Sequence, residues 1–459
     1  MARQLRVAVI GCGPAGIYAA DTLIKSELDV TVDILERNPA PFGLIRYGVA
    51  PDHPRIKEIA KALTRVLAGE SIRFLGNVNY GDDLKLDNLR QFYDAIIFAT
   101  GANADRPLET PGIDLPGSYG AADFVSWYDG HPDAPRNWPL HAETVAVLGA
   151  GNVALDVARM LAKTADELLA TDIPANVYAG IKANRAQDVH VFARRGPAQV
   201  KFTPMELLEL GHSPNIDIIV HPEGFELDEG SMDAIRGSKS VKLVVDTLSN
   251  YLAAEPRGKK HRLHIHFCHT PVEITGESKV EGLRTEITEL TGNGNVRGTG
   301  EFVDWPVQAV YRAVGYLSSN LSGLPFDGTV GVVPNDGGHV IDIDGEIMDG
   351  LYVTGWIKRG PVGLIGHTKS DAAQTVEMLL ADVDTLAAPK YADPEAVTSY
   401  LDERGVAYTT WQGWEHLDAH EVALGEADGR SRVKVVPRDE MVKISRVSSL
   451  PPQDLAKQT

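Results

Sequence analysis

Arg6-Val-Ala-Val-Ile10 running into Gly11-Cys-Gly13-Pro-Ala15-Gly16 decides the reading of this chain: a short apolar strand enters a glycine-rich turn that opens a helix. In such a unit the first glycine makes the tight turn, the second lets the backbone approach a pyrophosphate, and the third lets helix pack close on strand. The phosphates then sit on the helix N-terminus, whose free N–H groups favour anions. Glu36 follows Gly16 by 20 residues, at the end of the next strand, Val30–Leu35, where a carboxylate meets a ribose diol. The pattern returns 138 residues on, where Val145-Ala-Val-Leu148 leads into Gly149-Ala150-Gly151-Asn152-Val153-Ala154. Two such fingerprints imply two nucleotide cofactors.

The second turn differs in the features that choose the nucleotide. Its third glycine is Ala154, and the strand that follows, Val189–Ala193, ends in Arg194-Arg195 instead of an acid. Two guanidiniums offer forked donors to a 2'-phosphate, where an acid would hydrogen-bond a bare hydroxyl. The second nucleotide therefore reads as NADP(H).

At 459 residues the chain is long enough for two or three domains. Cys12 and Cys268 are its only cysteines and no C-x-x-C occurs, which excludes a disulfide framework, a four-cysteine cluster and a dithiol electron relay. No run of 18 apolar residues occurs, and the first strand starts within six residues of Met1, so a cytoplasmic protein with no leader and no membrane anchor is expected. A formal charge of -19 argues against nucleic acid or an anionic membrane as partner.

Strands and helices alternate to about residue 103, a loop-rich stretch follows, and the second glycine turn starts a new domain that closes with Val307–Tyr316. Gly350-Leu-Tyr-Val-Thr-Gly355-Trp356 then reads as a strand returning to the first domain. The fold expected is α/β, with two Rossmann-like dinucleotide-binding domains and the second inserted in the first. Its segments are residues 1–103, 104–317 and 318–459, the last ending in a tail from 385 that carries no motif and reads as packing and solubility. His261, His264, His266 and His269 crowd one strand, but with no carboxylate nearby they read as a polar face, and no metal site is assigned.

Several blocks together resemble one family: Gly11–Gly16, Pro41-Phe-Gly-Leu44-Ile-Arg-Tyr-Gly-Val-Ala-Pro-Asp-His53-Pro54, Gly151–Arg159, Arg194-Arg-Gly-Pro197 and Gly355-Trp-Ile-Lys-Arg-Gly-Pro-Val-Gly363-Leu-Ile-Gly366. The chain resembles adrenodoxin reductase and its bacterial ferredoxin-NADP reductase relatives, from about residue 5 to about 380. The resemblance makes 1–103 and 318–459 the FAD-binding domain and 104–317 the NADP-binding domain. It implies FAD contacts at Gly11, Gly13, Ala15, Gly16, Glu36, Leu44, Val78, Trp356 and the turn Gly363-Leu364-Ile365. For NADP(H) it implies Ala150, Gly151, Asn152 and Val153 at the pyrophosphate, Arg194 and Arg195 at the 2'-phosphate, Glu206 at the ribose and Gly363 at the nicotinamide end. Ala150 is a departure from the Gly-Gln or Gly-Asn that commonly starts this turn. The residues nearest the chemistry are implied to be His53 and Glu209, the latter at i+3 from Glu206 on one helix face, acting by orientation and electrostatics.

A chain with FAD, NADPH and no redox cysteine must send its electrons outward, and the resemblance names the acceptor as an iron-sulfur ferredoxin. The expected function is electron transfer between NADPH and ferredoxin. A relay subunit of a glutamate synthase-type complex and a nicotinamide-binding redox sensor stand as alternatives. Ferredoxins are generally acidic, so an acidic reductase needs a local basic patch. Arg257, Lys259, Lys260 and Arg262 are its candidates.

Overall fold

The computed structural model describes residues 4–362 and 365–447. Leu5–Ile10, buried at all six positions, is a central strand of a seven-stranded sheet, paired in parallel with Val30–Glu36 on one side and Ala95–Phe98 on the other. Such unbroken apolar runs belong to parallel sheets covered on both faces. Beyond Ala95–Phe98 the next strand in the sheet is Ile347–Val353, which arrives from more than 240 residues later in the chain. The helix Pro14–Ile24 packs against Ile365–Ala381, so the chain's return also completes the helical layer.

Between these two passages lies a six-stranded sheet in which every neighbouring pair is parallel: Ser118–Gly120, Ala309–Arg312, Thr144–Leu148, Asp188–Phe192, His261–His266 and Ile216–Val220, in spatial order. The twofold alternation of a strand gives this sheet two different coats. Val145, Val147, Val191 and Leu263 face the helix Asn152–Ala162 through Leu155, Ala158 and Leu161. Ala146, Leu148, Phe192 and Val310 face a three-stranded antiparallel sheet through Ile274 and Leu283, with Val307 packed beside them just past its last strand. Where the chain passes from one sheet to the other and back, Ala104–Asp105 and Tyr316–Leu317 pair as a short antiparallel ribbon. The architecture is thus two Rossmann-like nucleotide units, one inserted within the other.

The tail does more than cover surface. Glu421, fully buried on the helix Trp411–Ala427, takes Arg46 through both carboxylate oxygens at 3.0 and 2.5 Å. Lys434 is buried against the carbonyls of Arg46 and Asp129 at 2.9 and 3.0 Å and reaches the carboxylates of Asp129 and Asp172 at 3.4 and 3.2 Å. Lys57 completes this group with Asp172 at 2.9 Å, so side chains from both nucleotide units and the tail share one buried ionic cluster. Burial pushes Lys434 down to about 8 and Asp129 up to about 6 against the pull of their partners. No helix among the described residues is long and apolar enough to cross a membrane.

Candidate dinucleotide sites and the ionic node between them

The first turn forms one end of a cavity of about 480 Å³. Gly11, Gly13, Ala15, Glu36, Leu44 and Trp356 line it, joined by Thr368, by Tyr316, and by Val153 of the second nucleotide unit. Its walls are cut to backbone thickness. Gly11 holds φ +108°, and a Cβ there would stand 2.6 Å from the Ala99 carbonyl oxygen; at Gly355, φ +75°, a Cβ would meet that of Ala15 at 2.6 Å. The helix Pro14–Ile24 carries no side-chain cap, which leaves its first N–H groups unspent and facing the turn. Glu36 ends the second strand as required; its oxygens accept the amides of Cys12 at 2.8 Å and Asn38 at 3.0 Å, and burial pushes its carboxyl up against these bonds. Together the cradle, free helix terminus and strand-end carboxylate suit a dinucleotide.

Other residues singled out in the sequence fall differently. Gly16 sits behind the turn, where a Cβ would lie 2.1 Å from the Gly11 carbonyl oxygen. Val78 is buried, with its amide on the Glu36 carbonyl at 2.9 Å, and is not among the residues lining the cavity. Gly363 and Leu364 lie outside the described residues; Ile365 starts the helix Ile365–Ala381.

The second turn is tied to the loop ahead of the helix Pro204–Leu210. The Ala150 carbonyl accepts the Lys201 amide at 2.7 Å, and Asn152 Oδ1 accepts the Thr203 amide at 2.8 Å. Gly151 begins the helix Asn152–Ala162 with no side-chain cap, so this terminus too keeps free donors. Arg194 and Arg195 stand together on a cavity of about 370 Å³, with Thr270 and Glu286 of the antiparallel sheet and Asn295 of its connecting turn on the other walls.

His53 joins the two units. Pro54 opens a short helix directly after it, holding the histidine at the helix start with its ring turned toward the second unit. Its Nδ1 lies 2.9 Å from Glu209 Oε2, while Nε2 lies 2.7 Å from Glu206 Oε2 and 3.1 Å from Asp156 Oδ1. Arg159 reaches the same node, 2.5 Å from His53 Nε2, and binds Asp52 through two nitrogens at 2.7 and 2.9 Å. Lys163 adds a second contact to Asp52 at 2.7 Å. Helical spacing explains the assembly, for Asp156, Arg159 and Lys163 recur on one face of their helix and its end, and Glu206 and Glu209 on one face of theirs. Asp52, Asp156, Arg159 and Lys163 were not singled out as site residues, because an Asp-x-x-Arg spacing reads as an ordinary helix pair. Glu206, read as a ribose contact, is buried with Oε2 2.7 Å from His53 Nε2.

Four carboxylates surround two permanent cations in this node, and a protonated His53 adds a third positive charge. Burial alone would lower its proton affinity, but hydrogen bonds to Asp156 and Glu206 outweigh burial and the Arg159 charge and carry it from 6.5 up to about 10. A folded-state value above the unfolded one means that the folded chain keeps a proton the unfolded chain has lost. This stabilisation is whole below about 6.5 and is lost as pH rises through about 10. The stability advantage of the native chain over His53→Gln is therefore expected to shrink over that window in denaturant titrations; a constant difference would contradict the assignment.

Two features of the second unit depart from the sequence reading. Of the four clustered cations, Lys259 spends its ammonium on the carbonyls of Ser213 and Ile216 at 2.9 and 3.0 Å, and Arg262 is paired with Asp188. Arg257 and Lys260 remain as the exposed pair. The histidine strand does have a carboxylate beside it, since Asp188 Oδ1 lies 3.0 Å from His264 Nε2.

Two glycine-turn cradles on interleaved sheets, with uncapped helix termini and a shared cavity, define the class of two-dinucleotide flavoprotein oxidoreductases. Residues 5–196 match the family described as pyridine nucleotide-disulphide oxidoreductase. NADPH-ferredoxin reductase FprA of Mycobacterium tuberculosis is 40% identical over 459 aligned positions, covering 96% of this chain and 99% of that protein. The mitochondrial NADPH:adrenodoxin oxidoreductase of Bos taurus is 35% identical, covering 96% and 92%. The solved structure of Mycobacterium tuberculosis FprA in complex with NADPH superposes with a TM-score of 0.89 at 38% identity, over 96% of this chain and all of that one. The chain belongs to the family of NADPH-ferredoxin and adrenodoxin reductases.

Proposed function

We propose that this protein is an FAD-dependent NADPH-ferredoxin reductase of the cytoplasm, with an iron-sulfur ferredoxin as its transient partner. The observation that carries the reading is the cavity that begins at the first glycine turn and ends on Val153 at the head of the second unit's helix, which lets two nucleotides meet end to end. FAD held there would supply a hydride acceptor for NADPH that can release the two electrons one at a time.

The chain's own residues have separable tasks in this reading. The Gly11–Gly16 turn and the helix behind it hold the FAD pyrophosphate, Glu36 takes the adenine ribose, and Leu44, Val78, Trp356 and residues 363–365 enclose the rest. The Ala150–Val153 turn holds the second pyrophosphate and Arg194 and Arg195 the 2'-phosphate. His53 and Glu209 are positioning residues at the nicotinamide end, Glu206 takes the nearby ribose, and Asp156 Oδ1 accepts the His53 proton at Nε2. The domain boundaries adopted are 1–103 and 318–459 for FAD and 104–317 for NADP.

Purified holoenzyme mixed anaerobically with NADPH is expected to lose its yellow colour, and added ferredoxin to restore it. A flavin that bleaches but passes no electrons to free ferredoxin would instead favour a relay subunit, and one that does not bleach would favour a nicotinamide sensor. Misplacing reacting atoms by about 1 Å costs on the order of 100-fold in rate, so His53→Gln and Glu209→Ala are expected to slow flavin reduction in single-turnover mixing while FAD content stays normal. Unchanged rates would remove both residues from the site.

Docking of an acidic partner onto a chain of charge -19 must use local cations. Screening shortens from about 10 Å at 0.1 M salt to about 3 Å at 1 M, so the ferredoxin-dependent rate is expected to fall with salt far more than the rate with a neutral quinone. Reversing Arg257 and Lys260 to Glu is expected to raise the KM for ferredoxin and leave flavin reduction unaltered; an unaltered KM moves the docking surface elsewhere.

A further inference from the structure

The sheet face turned away from the helix Asn152–Ala162 carries a group of imidazoles that neither nucleotide site uses. In the parallel register His264 lies beside His190, and His221, which follows Val220, falls beside His266. The rings stack in those pairs, His190 on His264 with centroids 4.3 Å apart and His221 on His266 at 4.1 Å. Across the stacks nitrogens face one another: His190 Nδ1 stands 3.0 Å from His266 Nε2, and His221 Nε2 stands 3.2 Å from His264 Nδ1. Ligand atoms of His190, His264 and His266 all lie within 4.8 Å of one another.

Two surroundings make this more than a polar sheet face. Asp188 Oδ1 accepts from His264 Nε2 at 3.0 Å, which fixes the proton there and leaves the Nδ1 lone pair turned toward the other rings. A carboxylate behind a ligating histidine orients the ring and raises its basicity in this way. Trp305 closes one side against the His266 ring at 4.6 Å, while His190, His221 and His264 stay half-buried and leave a path of entry. For metal–nitrogen bonds of about 2.0–2.1 Å, tetrahedral ligands stand about 3.4 Å apart. The facing nitrogens lie just under that spacing. The stacked rings lie near parallel, and rotation about their last torsion, which is soft, is needed to turn their lone pairs toward one point.

The geometry points to a binding site for a divalent transition-metal ion of the zinc type, ligated by His190, His264 and His266 and oriented by Asp188. An imidazole donor set without thiolate suits zinc, nickel or copper, and three protein ligands leave a fourth position for water or for the adjacent His221. The ion would tie together the strands Asp188–Phe192 and His261–His266.

The test uses tag-free holoenzyme, stripped with a chelator and dialysed against zinc chloride. One zinc per chain is expected, with an X-ray absorption spectrum of three to four nitrogen neighbours at about 2.0 Å. The double variant His190→Gln/His264→Gln is expected to lose the zinc while keeping its FAD and its rate of reduction by NADPH, and Asp188→Asn to bind about 10- to 100-fold more weakly. The assignment is overturned if the intact chain takes up no stoichiometric zinc, nickel or copper, if the double variant binds as tightly, or if the neighbours are oxygens. Should the double variant fail to fold, the stoichiometry and spectrum of the unaltered chain decide the matter.

Discussion

Replacing Arg194 and Arg195 together by Ala is expected to raise the KM for NADPH steeply and to leave that for NADH almost untouched. Each charge-assisted contact to a phosphate is worth roughly 1.5 to 3 kcal/mol, or about 10- to 150-fold in affinity. Both side chains face one cavity, so the two losses act on the same ligand group. Neither arginine is spent on a carboxylate pair among the described residues; Arg195 Nη1 donates to the Gly294 carbonyl at 3.4 Å. Steady-state kinetics with both nucleotides check this, and an equal loss for the two would refute the assignment.

Arg159→Met is expected to give the largest loss of stability. The guanidinium is 1% exposed and is the shared partner of Asp52 and Asp156. Arg159 and Lys163 hold the Asp52 carboxyl far below the usual carboxylate range, against its burial. Removing one partner of a buried pair typically costs about 3–5 kcal/mol, because the other charge stays buried and uncompensated. Denaturant unfolding of the FAD-loaded protein measures the loss; a change under about 1 kcal/mol would mean that the node is hydrated, as a surface pair is.

How much of this was readable in advance depends on the reach of each interaction. Glycine turns and the strands before them are local, so both nucleotide cradles, the interleaved order of the units and the Arg194–Arg195 pair were legible. Glu209 meeting His53 was legible only through family resemblance. The rest of the node was not: Asp52 and Arg159 are 107 residues apart, and neither is unusual in its own neighbourhood. The histidine face failed for a similar reason. Periodicity placed His264 and His266 on one side of a strand, but His190 and His221 come from other strands, and only the parallel register brings them alongside. The charged groups of the tail were equally silent, since Lys434 and Glu421 look like solubilising residues until the seam they fill exists.

The ribbon formed by Ala104–Asp105 and Tyr316–Leu317 has a consequence for the history of the molecule. Paired antiparallel residues stand about 4.5–5.5 Å apart, so everything between the two crossings leaves and re-enters the flavin unit through what amounts to one doorway. A gene segment encoding such a module can be exchanged, lengthened or deleted without rerouting the host sheet, whose order never depended on it. What resists the exchange is chemistry at the far side, where a replacement module must still present an arginine to Asp52 and acids to His53. Divergence among reductases built on this plan is therefore expected to be free at the doorway and constrained at the seam.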